Sequence, residues 1–131
     1  MTLEDYLHVL RHVVEDDPFV VGNTLTVEIS PEAGDISGDI FCHGGVIIDF
    51  LNYVEVTAYK RVIYCQIDKY SYHARYESRQ DILRYDNAHL VDEQRTHHKH
   101  TWTNSGEAIS YQDAWPHLTE VLRELRHLVW K

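Results

Sequence analysis

The chemistry-bearing residues of this chain are densest between residues 84 and 102. There RYDNAHLVDEQRTHHKHTW places His89, His97, His98 and His100, four of ten histidines, within twelve positions. Histidine titrates near neutral pH and is the commonest metal ligand, so such a cluster can move protons, hold a metal or decorate a polar surface. Read as a strand, HHKHTW puts His98 and His100 on one face and His97, Lys99 and Thr101 on the other, because side chains alternate with period two. The same rule pairs Arg84 with Asp86 in RYDN. If the two strands are neighbours, one face presents two imidazoles, a guanidinium and a carboxylate.

That set suits phosphodiester cleavage without a metal. One histidine of the pair His98 and His100 takes the proton of a ribose 2′-hydroxyl, and the other protonates the leaving 5′-oxygen. Arg84 or Lys99 stabilises the charge gathering on phosphorus, while Asp86 fixes a histidine tautomer or orients the arginine. Tyr70, Tyr72 and Trp102 can stack on unpaired bases, and His73, Arg75 and His89 complete the expected substrate-binding set. Other readings of the same residues stand beside this one. His-x-His is also a zinc spacing, with Asp86 or His89 as third ligand, although the reading adopted invokes neither a metal nor any other cofactor. The histidines can equally be surface residues beside an Arg84–Asp86 ion pair, with Tyr70 and Tyr72 as one packed face of a sheet.

The elements that must position these residues are legible as patterns. Leu3, Tyr6, Leu7, Leu10, Val13 and Val14 recur at three-and-four spacing and predict an amphipathic N-terminal helix, with Thr2 and Asp5 as a cap-like start. His8 and His12 fall four apart on its polar face and are read as solvated. After Pro18, Leu25, Val27 and Ile29 alternate with polar residues, which predicts a strand with one buried face. ISGDIFCH and VIIDFLNYVEVTA flank His43-Gly44-Gly45, a hairpin whose glycines can take positive φ. Arg61 to Glu77 and ILRYDN follow as strands joined by a polar turn near Glu77–Gln80. Leu118, Val121, Leu122, Leu125, Leu128 and Val129 predict a C-terminal helix; with Asp113 as N-cap, Pro116 falls in its first turn. The expectation is α+β: a curved antiparallel sheet of about five or six strands with an N-terminal and a C-terminal helix packed on it.

Composition narrows the classes. At 131 residues and 44% hydrophobic, the sequence fits one globular domain over 1–131. Its acidic start lacks the basic flank of a signal peptide, and no apolar run approaches a membrane span, so a cytoplasmic location is expected. Cys42 and Cys65 sit in apolar stretches and read as small buried hydrophobes. The net charge of −9 argues against general polyanion binding. Residues 1–58 hold eleven acids against one base, Arg11, whereas residues 59–102 hold eight bases against six acids. A polyanion would meet the middle segment, and the acidic half suits a basic partner or a solubilising role.

The runs YSYHARY, RYDNAH and HHKH, in that order between two helical segments, resemble the TumE family of small prokaryotic toxins over nearly the whole chain. The sequence departs from the family where Ala88-His89-Leu90 stands in place of the Ala-Pro-His-His that often follows Asp-Asn. The resemblance implies a toxin of a type II toxin–antitoxin pair, neutralised by a cognate antitoxin, commonly a helix-turn-helix protein. RNA and a second copy of the chain are further expected partners, and a membrane is not. It carries over no catalytic residues. Two functions remain open: an RNA-cleaving toxin, or a binding protein that acts by contact and does no chemistry.

Overall fold

The computed structural model describes residues 1–87, 97–103, 105–112 and 114–129. Helix α1 spans Leu3–Asp16, and the Thr2 hydroxyl caps it by accepting from the Asp5 amide at 3.1 Å. Eight strands follow among the described residues: β1 (Val20–Asn23), β2 (Thr26–Ile29), β3 (Ala33–Cys42), β4 (Val46–Tyr59), β5 (Val62–Tyr76), β6 (Asp81–Asp86), β7 (His98–Thr103) and β8 (Gly106–Tyr111). Helix α2, Leu118–Val129, closes the order. The α+β class is as the patterns indicated, and the sheet is larger than the five or six strands expected. The additional strands are β1 and β8, four and six residues long, whose short mixed sequences carry little periodicity.

The strands form one antiparallel sheet in the order β1-β3-β4-β5-β6-β7-β8, with β2 pairing beside β1 on the other half of β3. The chain passes from β1 to β2 against Gly38 of β3, where φ is +147° and an added Cβ would lie 2.6 Å from the Thr24 carbonyl oxygen. Only glycine fits that close approach. The β3–β4 hairpin turns through a 3-10 turn at His43–Gly45, with Gly44 and Gly45 at φ of 75° and 73°, as the glycines suggested. The β4–β5 hairpin instead turns at Lys60 and Arg61, both at positive φ, without a glycine to mark it.

Period two decides the two faces. Ile36, Ile40, Ile48, Phe50, Tyr70, Tyr72, Ala74 and Leu83 point to the side covered by both helices, where Leu10, Val14, Leu118, Val121, Leu122 and Leu125 complete the core. Burying each of the branched aliphatic side chains and Phe50 contributes about 1.5–3 kcal/mol. A polar network ties this core together: the Tyr6 hydroxyl donates to Asn52 Oδ1, Asn52 Nδ2 donates to the Tyr72 hydroxyl at 3.0 Å, and Trp115 Nε1 donates to that hydroxyl at 2.6 Å. Burial pushes the Tyr72 phenol up to about 12.

Several expectations change here. Val27 and Ile29 are exposed, so β2 lacks the buried face its alternation predicted; it lies at the sheet margin and pairs with β3 alone. Helix α2 begins at Leu118, so Pro116 lies ahead of it rather than in its first turn. Proline disfavours the helical conformation in the residue before it, Trp115, so the helix starts beyond Pro116. Asp113 lies outside the described residues. Cys42 and Cys65 are free and buried, as expected. Among the described residues, no helix is long and apolar enough to cross a membrane.

Candidate functional site

Strands β5 to β8 carry a band of ionisable side chains on the sheet face turned away from the helices. The register sets Arg84 directly opposite His73 on one side and His100 on the other, and Asp86 opposite Ser71 and His98. Strand β8 then places Ile109 opposite His100 and Glu107 opposite Trp102. Residues with Arg84 parity on β6 and His100 parity on β7 therefore share one face, as the two-residue period required.

The contacts are close. Arg84 Nε lies 2.8 Å from Asp86 Oδ2, and His98 Nε2 lies 3.0 Å from Asp86 Oδ1. The guanidinium approaches the carboxylate off the line of its Nε–H, so the attraction is chiefly coulombic. Arg84 Nη2 is 3.1 Å from His100 Nε2, and His100 Nδ1 is 2.5 Å from Glu107 Oε1. An arginine can only donate, so Nε2 of His100 accepts and its proton sits on Nδ1, directed at Glu107. Burial lowers the His100 pKa; the Glu107 hydrogen bond opposes this and the Arg84 charge reinforces it, and the net is downward. His100 is therefore the neutral imidazole that this hydrogen-bond pattern requires.

Exposure sorts the cluster into interior and rim. The side chains of His98, Asp86 and His100 are 0%, 1% and 4% exposed, whereas Arg84 and His73 reach 27% and 25%, and Glu107 44%. His73 Nε2 donates to Asp81 Oδ1 at 2.6 Å, because a carboxylate only accepts, and its Nδ1 is 4.0 Å from Asp49 Oδ2. Arg75 holds Asp49 at 3.0 Å. Asp49 and its cross-strand partner Asp39 form a carboxyl pair. Their hydrogen bond raises the Asp39 pKa. At Asp49, burial pushes upward, but the Asp39 and Arg75 hydrogen bonds outweigh it and leave the pKa lowered. The Trp102 ring spans the band, its centroid 5.9 Å from His100 and 5.6 Å from His73.

The structure thus brings together His98, His100, Arg84 and Asp86, with His73, Arg75 and Trp102 beside them. It separates others. Lys99 points to the helix face, where Nζ lies 2.7 Å from Glu124 of α2, so it stands away from the cluster. Tyr70 and Tyr72, 0% and 1% exposed, are core residues and cannot stack on a base. Tyr70 instead meets His97 Nδ1 through its hydroxyl at 2.9 Å. His98, fully enclosed, is placed to hold Asp86 rather than to touch a ligand. His89 lies outside the described residues. Glu107, Asp81 and Asp49 were missed by sequence reasoning. The alternation of Glu107, Ile109 and Tyr111 in GEAISY was the available signal, and it becomes informative only once β8 is known to pair with β7.

Asp86, His98 and His100 offer one ligand atom each within 4.8 Å of one another, a spacing that can take a metal ion. The Arg84 guanidinium, however, contacts both Asp86 and His100, which sets a fixed positive charge at the place a cation would fill. A cleft of about 720 Å³ lies elsewhere, between α1 and the tip of β5, lined by Leu7, Arg11, Arg61 and Ile63 among others. It contains none of the clustered residues.

Fold and site together define an α+β protein whose helix-free sheet face is a band of paired imidazoles, carboxylates and guanidinium groups. The sequence model of the family described as Toxin TumE matches residues 10–129. The chain belongs to the TumE toxin family, in agreement with the resemblance carried by its motifs, and its role is that of a toxin. A toxin family suggests a cognate antitoxin as partner. No curated protein and no solved structure matches the chain.

Proposed function

We propose that this toxin is a metal-independent ribonuclease and that the band on β5–β8 is its active centre. The observation that carries the reading is the continuous series Glu107–His100–Arg84–Asp86–His98, enclosed at Asp86 and His98 and open at Arg84 and Glu107. A guanidinium held between Asp86 and His100 is already oriented, so it can meet a phosphodiester without first ordering itself. Glu107, the accessible carboxylate bonded to His100, takes the proton of the ribose 2′-hydroxyl. The Nδ1–H of His100 keeps Glu107 in place. His98 and Asp86 act behind them, fixing Arg84. Trp102, partly exposed, offers a face for an unpaired base. The chemistry yields a 2′,3′-cyclic phosphate and a 5′-hydroxyl.

The test is incubation of purified protein with RNA in excess chelator, with the new ends analysed chemically. Wild type is expected to leave cyclic phosphate ends, and Arg84→Ala and Glu107→Gln to lose about 100-fold or more in rate. The burial of His98 and His100 favours a second reading, in which the cluster only braces the sheet and the toxin acts by contact. Growth arrest that persists in both variants, with no new RNA ends in any of the three proteins, would establish that reading in its place.

A further inference from the structure

In-line cleavage of RNA needs two proton-transfer groups on opposite sides of the phosphorus: one takes the 2′-hydroxyl proton, the other delivers a proton to the departing 5′-oxygen. The sequence suggested that His98 and His100 share these tasks, yet His98 is wholly enclosed. Arg84 marks where the phosphate would sit. On its β7 side stand His100 and, within hydrogen-bond reach of it, Glu107. On its β5 side, directly across the ladder, stands His73. Paired strands lie about 4.8 Å apart, so β5 and β7 are separated by about 10 Å across β6; the guanidinium leans from β6 towards His100, and Glu107, one strand further out on β8, reaches back to the same histidine. From the geometry we infer that His73 is the proton donor to the leaving 5′-oxygen, opposite Glu107 across a phosphate held by Arg84. The inference rests on the ribonuclease reading.

The surroundings of His73 fit that task. Its side chain is a quarter exposed, so it can touch a substrate. Nε2 is engaged by Asp81 at 2.6 Å, which fixes the ring, while Nδ1 is 4.0 Å from the nearest Asp49 oxygen and beyond hydrogen-bond distance of it. Charged groups face it from both neighbouring strands: Asp49 from β4, Asp81 and Arg84 from β6. Trp102 packs against its ring. An imidazolium there would have two carboxylates to pair with. The atoms balance as follows. The 2′-oxygen gives its proton to Glu107 and bonds to phosphorus; the phosphorus–O5′ bond breaks; O5′ takes the Nδ1 proton of His73. Exchange with water then restores both groups.

A substrate whose leaving group needs no proton isolates this role. The probe is an RNA oligonucleotide containing the mapped cleavage site, compared with the same oligonucleotide in which the bridging 5′-oxygen is sulfur, because a thiolate departs unprotonated. His73→Gln, which can still bond Asp81, is expected to slow cleavage of the oxygen substrate by about 100-fold to 10,000-fold and of the sulfur substrate by less than about 10-fold. Glu107→Gln should slow both alike. Equal loss on both substrates in His73→Gln, or no loss on either, overturns the role of His73 while leaving the ribonuclease reading intact. Wild type that cleaves neither substrate, or Arg84→Ala and Glu107→Gln that cleave both at the wild-type rate, overturns the ribonuclease reading itself.

Discussion

Removing the Asp86 carboxylate is expected to be the most destabilising single change in the polar band. Asp86 is 1% exposed and stands between Arg84 Nε at 2.8 Å and His98 Nε2 at 3.0 Å. Breaking a buried charged pair by deleting one partner costs about 3–5 kcal/mol, because the other partner stays desolvated without its counter-charge. Arg84 is 27% exposed and can turn partly to water, which discounts the charge component. Asp86→Ala, which also leaves a cavity, is therefore expected to cost about 3 kcal/mol, and the isosteric Asp86→Asn about 1–2 kcal/mol. Against a total stability of about 5–15 kcal/mol, either is large. In urea, with a slope of about 1–3 kcal/mol per molar, Asp86→Ala should lower the unfolding midpoint by about 1–3 M. Arg84→Met in the Asp86→Ala background removes the stranded cation, so the double variant should fall less than the sum of the singles by at least about 1 kcal/mol. An Asp86→Ala protein within about 0.5 kcal/mol of wild type, or additive singles, would refute the claim that this carboxylate and guanidinium are coupled.

Three further outcomes follow from the same geometry. The His100 pKa is lowered in the folded chain, so below about pH 6.5 the unfolded chain binds a proton that the folded one resists, and stability is lost as pH falls through that value. Above it the residue contributes no slope; His100→Gln should therefore show a shallower acid-side loss than wild type in urea titrations between about pH 8 and about pH 5, and a steeper one would contradict the sign. Gly38→Ala forces a Cβ to 2.6 Å from the Thr24 carbonyl oxygen at φ +147° and should cost about 1–3 kcal/mol by thermal unfolding; a neutral result would mean that the β1–β2 crossing sits farther from β3. Replacing Lys60-Arg61 with Asn-Gly, residues suited to the positive φ at both turn positions, should stabilise by about 1 kcal/mol, and a loss would show that the two basic side chains matter more than the turn.

What could be read along the chain was whatever depends on residues close to one another in it. The three-and-four stripes of α1 and α2 were visible, and so was the parity that put His98 with His100 and Arg84 with Asp86, because a period of 3.6 or 2.0 is a local property of the backbone. The glycines of the β3–β4 hairpin announced their turn for the same reason, whereas Lys60-Arg61 hid theirs by lacking the residues that positive φ favours. Register is different: that Arg84 faces both His73 and His100 depends on which strands pair and at what offset, which the packing of the whole sheet decides. Burial is different too. In YSYHARY the period of two sets Tyr70 and Tyr72 on one face and His73 and Arg75 on the other, but which of these faces lies under the helices is decided by the packing. Glu107 became part of the site only through β8, six residues of weak pattern that find their place against β7. Local periodicity alone settles which side chains travel together on a face. Tertiary structure decided which of those faces meet, and which members of the cluster a ligand could reach, because both depend on contacts between residues far apart in the chain.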